Sequence, residues 1–196
     1  MESSNIVYFF ITVYASLLPV ILGGIFNMLF CRTTFFKNNT SPIDKGKIFM
    51  GKRIFGDNKT TLGFIGMIII TSIFQILWGY VCYIFKIYNL LYVTIDNNII
   101  NNLFIGAILG FMYVFMELPN SFLKRRLDIK PGDSAHIHNK FFLLLDQIDS
   151  LIGVGAVLVV FSDIKLYQYL LIILLGGLTH ILINVLLVKT NLKERI

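Results

Sequence analysis

The stretch that decides the fold runs from Glu117 to Gly153, ELPNSFLKRRLDIKPGDSAHIHNKFFLLLDQIDSLIG. It opens as an apolar run reaches a membrane surface, gathers Lys124, Arg125, Arg126 and Lys130, turns at Pro131-Gly132, and enters a second apolar run carrying Asp146 and Asp149. Ionisable groups inside membrane segments are costly and mark binding sites, catalytic sites or paired charges. A basic segment beside an acidic pair suggests a site for a metal and a polyanion.

Outward from this stretch the chain stays apolar. Of its 196 residues 56% are hydrophobic, and the mean hydropathy is +0.76, well above the range of soluble domains. Crossing the ~30 Å hydrocarbon core takes ~20 residues of helix. Five runs suffice: Tyr8–Phe30, Leu62–Phe85, Ile99–Leu118, Phe141–Phe161 and Leu166–Val188. The expected fold is an all-α integral membrane protein, a single domain over 1–196, with five transmembrane helices and two long cytoplasmic loops.

The net charge of +6 does not indicate nucleic acid, because of where it lies. Alternate loops hold fifteen of the 17 Lys and Arg: seven from Arg32 to Lys59, five from Lys124 to Lys140 and three from Lys189 to Arg195. The positive-inside rule places these loops in the cytoplasm and the N-terminus outside, in a multi-pass protein of the cell membrane. Met1–Asn5 carries Glu2 and no cation, so the first run reads as a span, not a cleaved signal. Cys31 and Cys82 fall at opposite membrane faces, which argues against a disulfide.

In the first loop, GKRIFGDNKT (51–60) combines Lys52, Arg53 and Lys59 with Gly51 and Gly56, which let a backbone approach a ligand closely. Lys59 and Thr60 stand at the start of the second span, where free N–H groups can receive phosphate. The alternative is simple topology charge. Asp57 tips the balance towards function, as a metal ligand or an orienter of lysine. Glu117 ends the third span and either pairs with a nearby Lys or Arg, the preferred reading, or reaches the site. Asp146 and Asp149, three apart, share one helical face. If the helix starts near Phe141, Asp149 lies roughly 12 Å along it. Two hard oxygen ligands there suit Mg²⁺ held with substrate phosphates. His136 and His138 lack partners at zinc spacing and read as polar loop residues. Asn27 reads first as a packing contact, and His180 with Asn184 as helix–helix hydrogen bonding. Gly106 and Gly110, at GxxxG spacing, permit tight packing and offer a face for a homodimer.

Taken together, ELPNSFLKRRL, Pro131-Gly132-Asp133, DQIDS (146–150) and GKRIFGDNKT resemble the CDP-archaeol synthase family, five-helix membrane enzymes related to the CDP-diacylglycerol synthases. The resemblance spans nearly the whole chain. It implies transfer of the cytidylyl group of CTP to a lipid phosphate, giving a CDP-lipid and pyrophosphate, with Mg²⁺. It implies metal held by Asp146 and Asp149 and phosphates gripped by Lys52, Arg53, Lys59, Lys124, Arg125 and Arg126. Gly56, Asp57, Thr60, Asn120, Ser121, Gly132 and Asp133 complete the expected substrate site, with Lys59, Lys124, Asp146 and Asp149 at the reaction itself. Two features depart from the archaeal pattern: Thr61-Leu62-Gly63 stands where Trp-Arg-Gly is usual, and His136–Phe142 lengthens the link to the Asp motif. The second resembles bacterial-type members and leaves open a phosphatidate-like or an archaeal ether-linked lipid. The rival reading is a small transporter or anionic-lipid-binding protein.

Overall fold

A computed structural model describes residues 2–87, 96–131, 139–161 and 164–190. Gly132, Asp133, His136 and His138 lie outside them. The elements are α1 (Glu2–Cys31), α2 (Thr34–Asn39), a hairpin of β1 (Ile48–Phe49) and β2 (Lys52–Arg53), α3 (Thr61–Phe85), α4 (Ile99–Arg126), α5 (Asn139–Phe161) and α6 (Leu166–Lys189). Five of these helices are long and apolar enough to cross a membrane. Their ends follow local chemistry. Thr60 caps α3 by accepting from the Gly63 N–H, and Asn98 caps α4 by accepting from Asn101, each satisfying a donor that the first turn leaves free.

The helices pack in the order α1, α3, α4, α5, α6, with α3 against α4 the most extensive contact. Val13, Leu17, Met67, Leu109, Val154, Leu158 and Ile172 form the shared core. Outside it Ile65, Ile69, Ile73 and Leu77 of α3 point away from the bundle, as side chains solvated by lipid do. Small residues bring the backbones together. A Cβ on Gly106 would stand 2.6 Å from the Ser72 Cα, and one on Gly110 would stand 2.8 Å from the Ile68 Cα. The Gly106/Gly110 face is therefore filled by α3 within the chain and is not a free face for a homodimer.

One further expectation is corrected. The third span does not end at Leu118: α4 runs on through Pro119 to Arg126. A proline inside a helix removes one N–H and strains the preceding turn, yet here the turns after it are held by side-chain bonds to α5 and the hairpin. The first long connection has structure of its own. It folds around Asp44, whose side chain is fully buried. Asp44 accepts from Arg53 Nη2 at 2.7 Å and from the N–H groups of Gly46, Phe55 and Gly56 at 3.1, 3.0 and 3.1 Å. Burial alone would raise its pKa, but the Arg53 guanidinium and the three N–H donors outweigh that and hold the carboxyl well below the usual carboxylate range.

Candidate functional site

The extension of α4 beyond the proline sets Glu117, Asn120, Ser121 and Lys124 on one helical face, at the spacing that puts side chains one above another. Across from it, α5 presents Asp146, Asp149 and Ser150. Asn120 joins the two aspartates, its Nδ2 donating to Asp146 Oδ1 and to Asp149 Oδ2, both at 2.7 Å. Lys124 Nζ donates to Asp146 Oδ2 at 2.6 Å, and the Ser150 N–H donates to Asp149 Oδ1 at 2.6 Å. One turn earlier on the same face of α4, Lys59 pairs with Glu117. Burial works against the charged amine, but Glu117, and more distantly Asp149 and Asp146, outweigh it and raise the Lys59 pKa. Three carboxylates and two lysines thus form one charged cluster from the start of α3 through α4 to α5, in which Asp149 is buried and Lys59, Glu117, Lys124 and Asp146 are half-buried.

The network is incompletely satisfied. Asn120 Oδ1, Ser150 Oγ and two guanidinium nitrogens of Arg125, Nε and Nη1, are buried without hydrogen-bond partners among the described residues. Arg125 is only 7% exposed. It lies beside Gly56, whose φ of +103° and close approach leave no room for a side chain: a Cβ there would meet Pro131 Cγ at 2.8 Å and Arg125 Nη1 at 3.5 Å. Orphaned donors at such depth carry a cost that an anionic ligand would relieve.

Beside this network opens a cavity of about 530 Å³. One part of its lining is polar, formed by Asp57, Asn58, Lys59, Thr60 and Glu117; the rest is mainly apolar, with Leu17, Val20 and Met28 of α1 and Ile183 and Leu187 of α6, interrupted by Asn27, His180 and Asn184. Between α1 and α6 there is little contact, and Thr179 Oγ1 donating to the Tyr14 hydroxyl at 3.2 Å is a link between them. A cavity lined in part by polar and for the rest by mainly apolar residues suits an amphiphile with a charged head.

The structure thus gathers Lys59, Thr60, Asn120, Ser121, Lys124, Arg125, Asp146 and Asp149 at one end of the bundle, with Gly56 pressed against Arg125. The remaining cations are engaged in shaping the first loop. Lys52 pairs with Asp128 at 2.7 Å and donates to the Arg126 carbonyl at 2.8 Å. Arg53 pairs with Asp44 and, at 3.0 Å, with the exposed Asp57. Arg126 donates to the carbonyls of Phe49, Lys52 and Arg53. Glu117 pairs as expected, but with Lys59 from another span instead of a neighbour in sequence. His180 and Asn184 bond α5 as expected: His180 Nδ1 lies 3.3 Å from the Gln147 carbonyl and Asn184 Nδ2 donates to Gln147 Oε1 at 2.9 Å. Asn27 Nδ2 donates to the Gly63 carbonyl at 3.1 Å, a packing contact between α1 and α3. Sequence reasoning missed Asp44, although Asp44 followed two residues later by Gly46 is an Asx-turn signal.

Known proteins share this architecture. The chain is 30% identical over 179 residues to a CDP-archaeol synthase of Thermofilum pendens, covering 90% of this chain and 76% of that one. It is 30% identical over 191 residues to the Methanocaldococcus jannaschii CDP-archaeol synthase, covering 95% and 98%, and 34% identical over 155 residues to that of Pyrobaculum islandicum, covering 78% and 80%. A solved intramembrane enzyme for archaeal membrane lipids biosynthesis superposes with a TM-score of 0.62 at 21% identity, covering 88% of this chain and 92% of that one, and shares its fold. The family model described as CarS-like, CDP-archaeol synthase, matches residues 5–196, and with the five spans and the polar network in place the chain belongs to the CDP-archaeol synthase family of membrane cytidylyltransferases.

Proposed function

We propose that this chain joins CTP to a lipid phosphate at the Lys59–Glu117–Asn120–Asp146–Asp149 network, with the lipid chains in the slot between α1 and α6. The observation that carries this reading is the contact between a half-buried charged network and a largely apolar cavity that shares Lys59 and Glu117 with it. A phosphate oxygen of the lipid attacks the α-phosphorus of CTP, the bond from that phosphorus to the bridging oxygen of the β-phosphate breaks, and pyrophosphate leaves. The attacking oxygen is already anionic, so no protein nucleophile is needed. The protein's task is positioning and neutralisation.

Lys59, in the polar part of the cavity lining, is placed for the lipid phosphate. Arg125, with free donors beside Gly56, and Lys124 are placed for the phosphates of CTP. Asp146, Asp149 and the unpartnered Asn120 Oδ1 form a hard-oxygen donor set that fits Mg²⁺, completed by substrate phosphates. When bound, that ion supplies charge neutralisation on the transferring group and the leaving pyrophosphate. Lys124, which donates to both oxygens of Asp146, would orient that carboxylate. The basic end of the bundle faces the cytoplasm in this reading, where CTP is available, and the N-terminus lies outside. The names of the relatives favour an archaeal ether-linked acceptor, with a phosphatidate-like lipid as the variant to test beside it.

The test is pyrophosphate release by purified protein given Mg²⁺, CTP and each lipid phosphate in turn, beside Asp149→Asn. Turnover with one lipid, reduced by about 10³-fold in the variant, is expected. No turnover with any lipid or nucleotide from folded protein would move the reading to a transporter or an anionic-lipid-binding protein.

A further inference from the structure

The hairpin of the first loop presents its apolar side chains outward. Ile48, Phe49 and Met50 are 67%, 51% and 80% exposed. Phe49 pairs with Lys52 in the ladder, and the turn between them is Met50-Gly51, with φ of +51° and +76°. Two successive positive φ values mark the tight hairpin turn in which Asn, Asp or Gly is preferred at the first position. A methionine there is disfavoured by its backbone and, in water, by its exposure. The exposure is accounted for if the tip is not in water.

The position of the tip supports this. The Phe49 ring lies 6.2 Å from that of Phe122, and the Arg126 guanidinium stacks on both at 5.8 and 4.8 Å. Two residues along α4 from Phe122, Lys124 Nζ lies 5.8 Å from the Phe142 ring, beside the start of the fourth span at Phe141. Phe141 and Leu144 point out of the bundle there, as do Leu123 and Leu127 on α4. The hairpin tip therefore stands about level with side chains that a bilayer must cover. At the hairpin's approach, Lys45 and Lys47 are exposed and enter no ion pair among the described residues.

From these observations we propose that Ile48–Phe49–Met50 is a membrane anchor seated at the headgroup–acyl boundary of the leaflet that the basic loops face, with Lys45 and Lys47 on anionic headgroups. Apolar side chains inserted beside basic ones bind such surfaces by burial together with attraction to anionic lipid. The anchor holds the loop that carries Gly56 and Lys59 flat against the bilayer. It does not depend on which reaction the network performs.

Full-length Trp78→Phe/Ile48→Trp protein in vesicles of equal phosphatidylcholine and phosphatidylglycerol tests it, since Trp78 is the only tryptophan. Acyl chains brominated near the headgroup are expected to quench the reporter roughly twofold, and more than chains brominated near their ends. Adding Lys45→Glu/Lys47→Glu should weaken this quenching. Quenching by aqueous acrylamide alone would overturn the proposal. So would shielding that ignores the brominated lipid and rises with protein density, which would indicate a second copy as occupant. A measurement on the unaltered chain stands beside it: amide exchange across 48–53 should be slower in anionic-lipid discs than in neutral ones, and equal rates would overturn the anchor even where the reporter variant does not fold.

Discussion

The two ends of this bundle bury polar side chains in opposite ways. Towards the end away from the basic loops, α3 and α4 are clasped by neutral amides. Gln75 Nε2 donates to Asn102 Oδ1 at 3.0 Å, Asn102 Nδ2 donates to Asn97 Oδ1 at 2.6 Å and to the Asn98 carbonyl at 2.9 Å, and Asn97 Nδ2 donates to the Gly79 carbonyl at 2.9 Å. No amide atom of Gln75 or Asn102 is left buried without a partner. At the basic end charged groups join the buried set, Arg125 and Asp149 among them, and Asn120, Ser150 and Arg125 keep hydrogen-bonding capacity unused among the described residues. A closed network holds helices together, and an open one waits for something else to bind. Hydrogen-bond satisfaction therefore distinguishes these two networks, although isolated buried atoms such as Asn27 Oδ1, Thr71 Oγ1 and Trp78 Nε1 also lack partners among the described residues.

The largest effect expected from that contrast is at Asn120. Asn120→Ala should cut turnover by about 10- to 100-fold by unbridging the two aspartates, while the unfolding temperature in detergent moves little, because relief of the orphaned Oδ1 offsets the lost bonds. A large fall in stability with unchanged turnover would break the comparison. In the amide clasp the reverse is expected. Asn102→Ala should destabilise by about 1–3 kcal/mol in thermal unfolding, because it strands the Gln75 amide, with turnover per folded molecule unchanged.

The smallest effect concerns Asp44, which sharpens the contrast because it is charged yet fully satisfied. Its folded-state pKa is depressed, so the stability it lends the loop is present above its unfolded value, about 3.9. That contribution is lost only as pH falls below this value towards the folded one. Amide exchange in 44–56, corrected for its intrinsic pH dependence, should show constant protection from about pH 5 to 8. Asp44→Asn should lower the protection across that range. Protection that fades already between pH 7 and 5 would place Asp44 with the open network.

Much of this was legible in the sequence. Span length and the alternation of basic loops fixed five helices, and the described helices begin within two residues of the expected starts at Leu62, Ile99, Phe141 and Leu166. The i,i+3 spacing of Asp146 and Asp149 placed both on one helical face, and the basic run after Pro119 pointed to their partners. What could not be read was the helical state of that run. Pro119 and the polar residues after it carry loop chemistry locally, and only Asp146, Asp149 and the hairpin carbonyls, all distant in sequence, complete the bonds that keep it helical. The partner of Glu117 was hidden for the same reason, since 58 residues separate it from Lys59. Arg126 likewise looked like a phosphate ligand until the hairpin that occupies it was in view.

The thin seam between α1 and α6 bears on how the reaction is supplied. Under the proposed function, the water-soluble nucleotide arrives by a three-dimensional search, whereas the amphiphile moves sideways in its own leaflet and slips between two helices that barely touch. Neither has to cross the bilayer, and the acyl or isoprenoid tails need never leave it. Rate would then depend on the lipid's surface density within the membrane, not on its bulk amount, so diluting the membrane with inert lipid should slow the enzyme while diluting the whole suspension should not, provided CTP is saturating.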